Sequence, residues 1–382
     1  MEAHAAEKST VKYNAVILTA VRRASCPPKA RRLEADTTAA ETDGVTLNFM
    51  NKRVSIVIIG RNEEKDIGEC IGAAKVAAEQ IGGAKIIFVD SASTDNTVSI
   101  VQSFGVRVVS LKPTMKLSPS AGRFVGTNYA NGDFILFLDA DTLIYKDFLP
   151  AALTHFENHP EVGGINGRLD DLNEKGEILT NVEERFDKIA DVKWLRGPCC
   201  FYRREALNQV GSFNPYLMNE EEAELGLRLI KNNWKLSLIP VPMACHTRCY
   251  HGQTTQSIFS AFKRDIVVGR IGEITKTAAY AFKEGYGLAF CWLRLKTTIL
   301  FVGWIFLAVK SLFLPPFLYP QIVFSLILIS GLSAIFFKKR DLWQTFVFIP
   351  SKFLCFVDVL AGLPKINLKN PKGYFLDVVE HK

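Results

Sequence analysis

The sequence lacks a disulfide framework. Its eight cysteines, at 26, 70, 199, 200, 245, 249, 291 and 355, follow no regular spacing. That excludes a small disulfide-stapled secreted scaffold and favours free thiols in a reducing compartment. No second Cys/His pair at finger spacing accompanies the crowded Cys245, His246, Cys249 and His251, so a structural zinc site is not expected. No Gly-x-Gly-x-x-Gly follows the first predicted strand, which excludes a Rossmann dehydrogenase. No Lys/Arg run with interleaved aromatics forms a stripe, so the net charge of +7 does not indicate a nucleic acid partner. The apolar stretch Ala15–Val21 is too short for a signal core or a membrane span. Apolar residues are not lacking. At 48% apolar and 22% charged, the chain can bury a core, which excludes a disordered or collagen-like chain. Its 382 residues allow about two domains plus appendages.

Patterning divides the chain. Residues 1–52 show no periodicity and are expected to be a flexible tail, the working domain starting near Met50. From Arg53 onward, strand and helix signals alternate. Val54–Ile59, Lys85–Val89, Val106–Leu111 and Phe134–Leu138 are apolar, β-branched or aromatic runs. Helical stretches at Glu64–Ile81, Thr94–Phe104 and Ala121–Ala130 separate them. This alternation predicts an α/β fold, an open and mostly parallel sheet flanked by helices with right-handed crossovers. Ligands of such sheets sit beyond the carboxyl ends of the strands. Asp90 and Asp139 fall at two of those ends and should face one crevice. After residue 270 an amphipathic linker, 271–292, leads to long uncharged runs. Two spans, 293–314 and 317–337, are expected to form a hairpin broken at Pro315-Pro316. Arg294, Lys296, Lys338, Lys339 and Arg340 then lie on one, cytoplasmic, side. The basic segment 338–382 carries an apolar stretch at 342–363, interrupted by Lys352 and Asp358. It reads as an interfacial or third membrane helix followed by a tail.

Three acidic clusters carry the chemistry. Asp139-Ala140-Asp141 closes a buried strand, so two hard oxygen ligands sit together where Mg²⁺ or Mn²⁺ could neutralise a diphosphate. A solvated turn is the alternative for such a pair. Asp90 ends another strand before Ser91-Ala92-Ser93-Thr94-Asp95-Asn96-Thr97 and could accept hydrogen bonds from a base or ribose edge. The alternative reading of Ser93 or Asp95 is an ordinary helix cap. Glu220-Glu221-Glu222-Ala223-Glu224 opens a helix, either as a charged first turn or as the source of a general base.

Taken in order, these motifs resemble glycosyltransferase family 2. Asn62-Glu63-Glu64, the Val89–Thr97 segment, Gly122-Arg123, and Gly132-Asp133 leading into Leu138-Asp139-Ala140-Asp141 all match its pattern. So do Tyr202-Arg203-Arg204, Val210-Gly211-Ser212-Phe213 and Glu221-Glu222-Ala223-Glu224-Leu225-Gly226-Leu227-Arg228. The resemblance covers residues 53–270 and implies a GT-A fold, a UDP- or GDP-linked sugar donor, a divalent metal and inversion at the anomeric carbon. It implies that Asn62, Glu63, Asp90, Arg123 and Asp139 bind the nucleotide-sugar, Asp90 at the base. It implies Asp139, Asp141 and His246 as metal ligands, with His251 second to His246. The family has Glu-Asp where this chain has Glu221-Glu222, so Glu222 aligns with the catalytic carboxylate and Glu221 is the second choice.

The resulting expectation is a metal-dependent inverting transferase, its catalytic domain in the cytoplasm and its C-terminal helices in the inner or plasma membrane. Lys263, Arg264 and Arg270 would face phosphate or the membrane surface. The acceptor would be a saccharide or a lipid-linked intermediate of surface polysaccharide or glycolipid synthesis. Trp194-Leu195-Arg196-Gly197 would line the acceptor side. That segment does not reproduce the Gln-x-x-Arg-Trp motif of processive synthases, which weighs against a processive polysaccharide synthase. A catalytically silent nucleotide-sugar-binding scaffold is the non-enzyme alternative, favoured only by the glutamate at the base position.

Overall fold

Val54–Gly60 (β1) is apolar but for Ser55 and Gly60 because both of its faces are covered. Val54, Ile56 and Ile58 enter one hydrophobic cluster, and Val57 and Ile59 enter the other. In this computed structural model, residues 53–170, 188–246, 272–313, 323–325, 327–328, 342–371, 374 and 378–381 are described. The expected tail 1–52, Lys263, Arg264, Arg270, Cys249, His251 and most of the span 317–337 lie outside them. The described residues fall into two compact units: those up to 250 together with those from 369 on, and those between 251 and 368.

The first unit is built on one sheet. Lys85–Asp90 (β2), Arg107–Leu111 (β3) and Phe134–Asp139 (β4) join β1 in the order β3-β2-β1-β4, all parallel. Helices Ile67–Glu79 (α1), Thr97–Ser103 (α2) and Pro119–Tyr129 (α3) connect them. Beyond β4 the sheet becomes mixed, so the mostly parallel expectation holds only for this half. Thr142–Ile144 (β5), Val162–Asp170 (β6), Ala190–Val192 (β7), Cys199–Arg203 (β8) and Lys235–His246 (β9) fill it. β8 is antiparallel to β4 and β6, β6 is parallel to β9, and β5 and β7 run antiparallel to β9. Phe148–Asn158 (α4), Arg204–Val210 (α5) and Glu221–Lys231 (α6) pack on this half.

Three helix starts differ from the sequence expectation. α1 begins at Ile67 and α2 at Thr97, each three residues later than predicted. Among the residues before them, Glu64 accepts hydrogen bonds from Asn96, as part of a clasp between two loops. α3 begins at Pro119, with Ser118 accepting from the Ala121 N–H at 3.0 Å and proline at the first helical position.

In the second unit, Glu273–Lys283 (α7) is followed by one continuous apolar helix, Gly287–Ser311. It comprises Gly287–Phe290 (α8), a π turn at Cys291–Leu295 and Lys296–Ser311 (α9). Among the described residues this helix is long and apolar enough to cross a membrane. Leu300, Phe306 and Leu307 on it are exposed. The predicted first span, 293–314, therefore starts earlier than expected. The second span of the expected hairpin falls largely outside the described residues. Leu342–Gly362 (α10) packs on α7, with Thr275 Oγ1 donating to the Val359 carbonyl at 2.7 Å and the Gly272 N–H donating to Asp358.

The tail brings a strand the sequence did not suggest. Val378–His381 (β10) pairs antiparallel with β3 and closes that edge of the sheet. Glu380 accepts from Arg107 and from the Tyr129 hydroxyl, and Tyr374 packs edge-on against Phe124 and Tyr216.

Candidate active site

The parallel register sets up the crevice. On either side of β1, Gly60 lies opposite Asp90 and Ile59 opposite Asp139. Both carboxylates thus end the two strands that flank β1, as the sequence predicts. Asp90 is buried, and its oxygens accept from the Ser93 N–H at 3.0 and 3.3 Å.

Asn62 and Ala92, both at left-handed φ near 60°, face each other across two loops. The Asn62 N–H donates to Ser93 Oγ at 2.9 Å, and Asn62 Oδ1 accepts from the Thr94 N–H at 2.8 Å. Asn tolerates that backbone because its short polar side chain bonds locally. The Glu63 N–H donates to Thr97 Oγ1 at 2.8 Å, while Glu64 accepts from the Asn96 N–H and amide. Asn62 and Glu63 therefore build the rim beside Asp90 through this clasp.

Arg123 is the centre of the other side. Buried on α3, it donates to Asp139 Oδ1 at 3.0 Å, Glu221 Oε1 at 3.1 Å, Glu222 Oε1 at 3.2 Å and the Gly197 carbonyl at 3.0 Å. Its guanidinium carbon lies 5.5 Å from the centre of the Phe213 ring. The 139 and 221/222 carboxylates, more than eighty positions apart in the chain, are thus brought to one cation. When all three are ionised they outweigh that cation by two charges. Burial would lower the Arg123 pKa, but Asp139, Glu222 and Glu221 overcome this and hold it above its ordinary value. Burial pushes the Asp139 carboxyl up to about 6; Arg123 opposes this, and Asp141 and Glu222 add to it. Glu221 is also raised, by burial and then by Glu222. Glu221 is almost fully enclosed, whereas the Glu222 side chain keeps 19% exposure to the crevice. Glu224 forms a bidentate pair with Arg228 one turn along α6 at 2.7 Å, which withdraws that carboxylate from the site, and Arg228 in turn donates to the Val210 carbonyl at 2.7 Å. Glu221, Glu222 and Glu224 therefore divide between structure and crevice.

Asp141 and His246 are both half-buried, and Thr142 pairs with His246 in the β5–β9 ladder. His246 thus lies across the ladder from the residue that follows Asp141. Two carboxylates and an imidazole make a donor set suited to Mn²⁺, and to Mg²⁺ through the oxygens. The surplus negative charge around Arg123 also fits a cation. Among the described residues, no three such side chains are drawn together into a formed metal cluster. What sequence reasoning missed is how completely Arg123 is engaged. The available signal was one cation in a helix of otherwise uncharged residues, Pro119–Tyr129.

This fold, a mixed sheet with acidic residues at the ends of its parallel strands, is that of the GT-A class. It matches the mannosyltransferase PcManGT of Pyrobaculum calidifontis, solved with GDP-Man and Mn²⁺, at TM-score 0.51 and 16% identity over 95% of this chain and 99% of that one. The pattern of glycosyl transferase family 2 matches residues 55–211, and that of glycosyl transferase family group 2 matches 134–338, more than half of the chain. The chain belongs to the family 2 glycosyltransferases. Among curated relatives, 4,4'-diaponeurosporenoate glycosyltransferase of Staphylococcus aureus is 31% identical over 122 residues, 31% of this chain and 32% of that protein. An N-acetylglucosaminyltransferase of Azorhizobium caulinodans is 28% identical over 189 residues, 45% of this chain and 46% of that protein. The chain spans about a third to a half of the length of these relatives.

Proposed function

We propose that the protein transfers a sugar, with inversion, from a UDP- or GDP-linked donor to a hydroxyl of a saccharide or lipid-linked acceptor near a membrane. The observation that carries this reading is the gathering of Asp139, Glu221 and Glu222 around Arg123, next to the strand end that holds Asp90. Asp90 accepts hydrogen bonds from the base edge, inside the rim made by Asn62 and Glu63. Glu222, the more exposed of the paired glutamates, removes the acceptor proton. The acceptor oxygen bonds to the anomeric carbon as the bond from that carbon to the diphosphate breaks. Asp139, Asp141 and His246 would hold the divalent cation. When bound, that ion supplies positive charge to the leaving diphosphate. The apolar helix Gly287–Ser311 is read as a membrane anchor, with the catalytic unit on the cytoplasmic side.

The test is release of nucleoside diphosphate from a panel of UDP- and GDP-sugars with Mn²⁺ or Mg²⁺. Glu222→Gln and Asp141→Ala should each lower kcat by ~10²-fold or more. Full activity in either variant would refute the role given to that residue.

A further inference from the structure

Gly197 sits where a side chain would strike the proposed base. A Cβ built on it would lie 2.0 Å from Glu222 Oε1, 3.0 Å from Glu222 Cδ and 3.0 Å from the nearer Arg123 nitrogen. Its backbone is not left-handed, so the missing side chain supplies space and not conformational freedom. Relieving that contact would move the Glu222 carboxylate off Arg123. The oxygen that would be struck is the one held by Arg123 at 3.2 Å, and the Gly197 carbonyl accepts from the same guanidinium at 3.0 Å. The next residue, Pro198, accepts from the Asp139 N–H at 2.9 Å. The carboxylate, the cation and the loop are therefore fixed against one another.

We infer that Gly197 is a positioning residue for Glu222: its lack of a Cβ leaves the volume in which Arg123 seats the Glu222 carboxylate. This rests on the assignment of Glu222 as base and names a residue that the assignment requires.

The experiment is a two-by-two comparison of Gly197→Ala and Glu222→Asp, singly and combined. It uses the full chain and whichever of UDP-GlcNAc or GDP-mannose the native protein turns over. Gly197→Ala alone should lower kcat by ~10²-fold while the donor KM stays within about threefold, as expected when a reacting group is misplaced by about 1 Å. In the Glu222→Asp background, Gly197→Ala should cost less than about threefold, because the shorter side chain frees the volume that the methyl needs. A crystal structure of Gly197→Ala should show the Glu222–Arg123 contact broken. If Gly197→Ala does not fold, the double variant should, as judged by thermal melting. Equal losses in the two backgrounds, or unfolding in both, would overturn the pairing. The base assignment is read separately in Glu222→Gln. Undiminished turnover there would sink that assignment and leave the melting and crystallographic comparison to decide the steric pairing.

Discussion

His155, on α4 away from the crevice, shows how burial sets the charge state of a single residue. It is buried, its Nε2 has no partner among the described residues, and its ring stacks 4.3 Å from that of His159. Burial first, and His159 second, lower its pKa below the usual 6.5. The unfolded chain then binds this proton more readily than the folded one, so the contribution of His155 is full above about pH 6.5 and is lost as the pH drops below it, whereas the raised Asp139 and Glu221 carboxyls favour the folded chain as the pH falls. Urea melts of the native chain and His155→Leu from pH 7.5 to 5 should therefore diverge, the variant gaining relative stability at the acid end. Parallel curves would exclude a contribution from His155. Arg123 is the opposite case, a buried cation kept charged by three carboxylates. Removing one partner of such a group typically costs about 3–5 kcal/mol, so loss of Arg123 would affect stability as well as turnover.

Among the elements, α3 decides whether Arg123 reaches the crevice at all. Gly122 and Gly126, one turn apart, face Ile59 and Val57 of β1. A Cβ on Gly126 would come within 2.2 Å of Val57 Cγ1. The small face lets the helix lie close to the sheet and carries the guanidinium to the carboxyl ends of the strands. Gly126→Val should destabilise the fold by about 1–3 kcal/mol through overpacking. Activity should fall more steeply than stability, because α3 is pushed away from the site. A shift in thermal midpoint with native kcat would show that the spacing of α3 does not matter for the chemistry. The clasp formed by Asn62, Ser93 and Thr94 likewise frames Asp90.

For the whole molecule, the apolar helix Gly287–Ser311 bears on where the protein works. Leu300, Phe306 and Leu307 are 64%, 64% and 57% exposed, too much apolar surface on one helix to leave in water. The full chain should sediment with lipid vesicles. Replacing these three residues with glutamine should move it to the supernatant while the catalytic unit keeps its melting transition. Sedimentation unaffected by the substitutions would show that this helix is not the anchor. The catalytic sheet also draws on the far end of the chain: β10 comes from residues beyond the second unit and covers the β3 edge.

Much of this was legible without coordinates because it depends on local pattern. Runs such as Val54–Ile59 and Phe134–Leu138 announce buried strands. The carboxylates that end β2 and β4 follow directly from that placement, since strand ends of an open α/β sheet form its ligand crevice. Short acidic motifs in a fixed order were enough to indicate the family. Other features arise only from contacts between distant residues. No local pattern indicates that Arg123 would be shared by carboxylates 16, 98 and 99 positions away, or that Val378–His381 would return to close the sheet. Nor does the sequence reveal that Gly197 is empty to make room for Glu222. Periodicity records which face of an element is buried, whereas the partners of a buried charge and the volume left for it are set by how the elements pack.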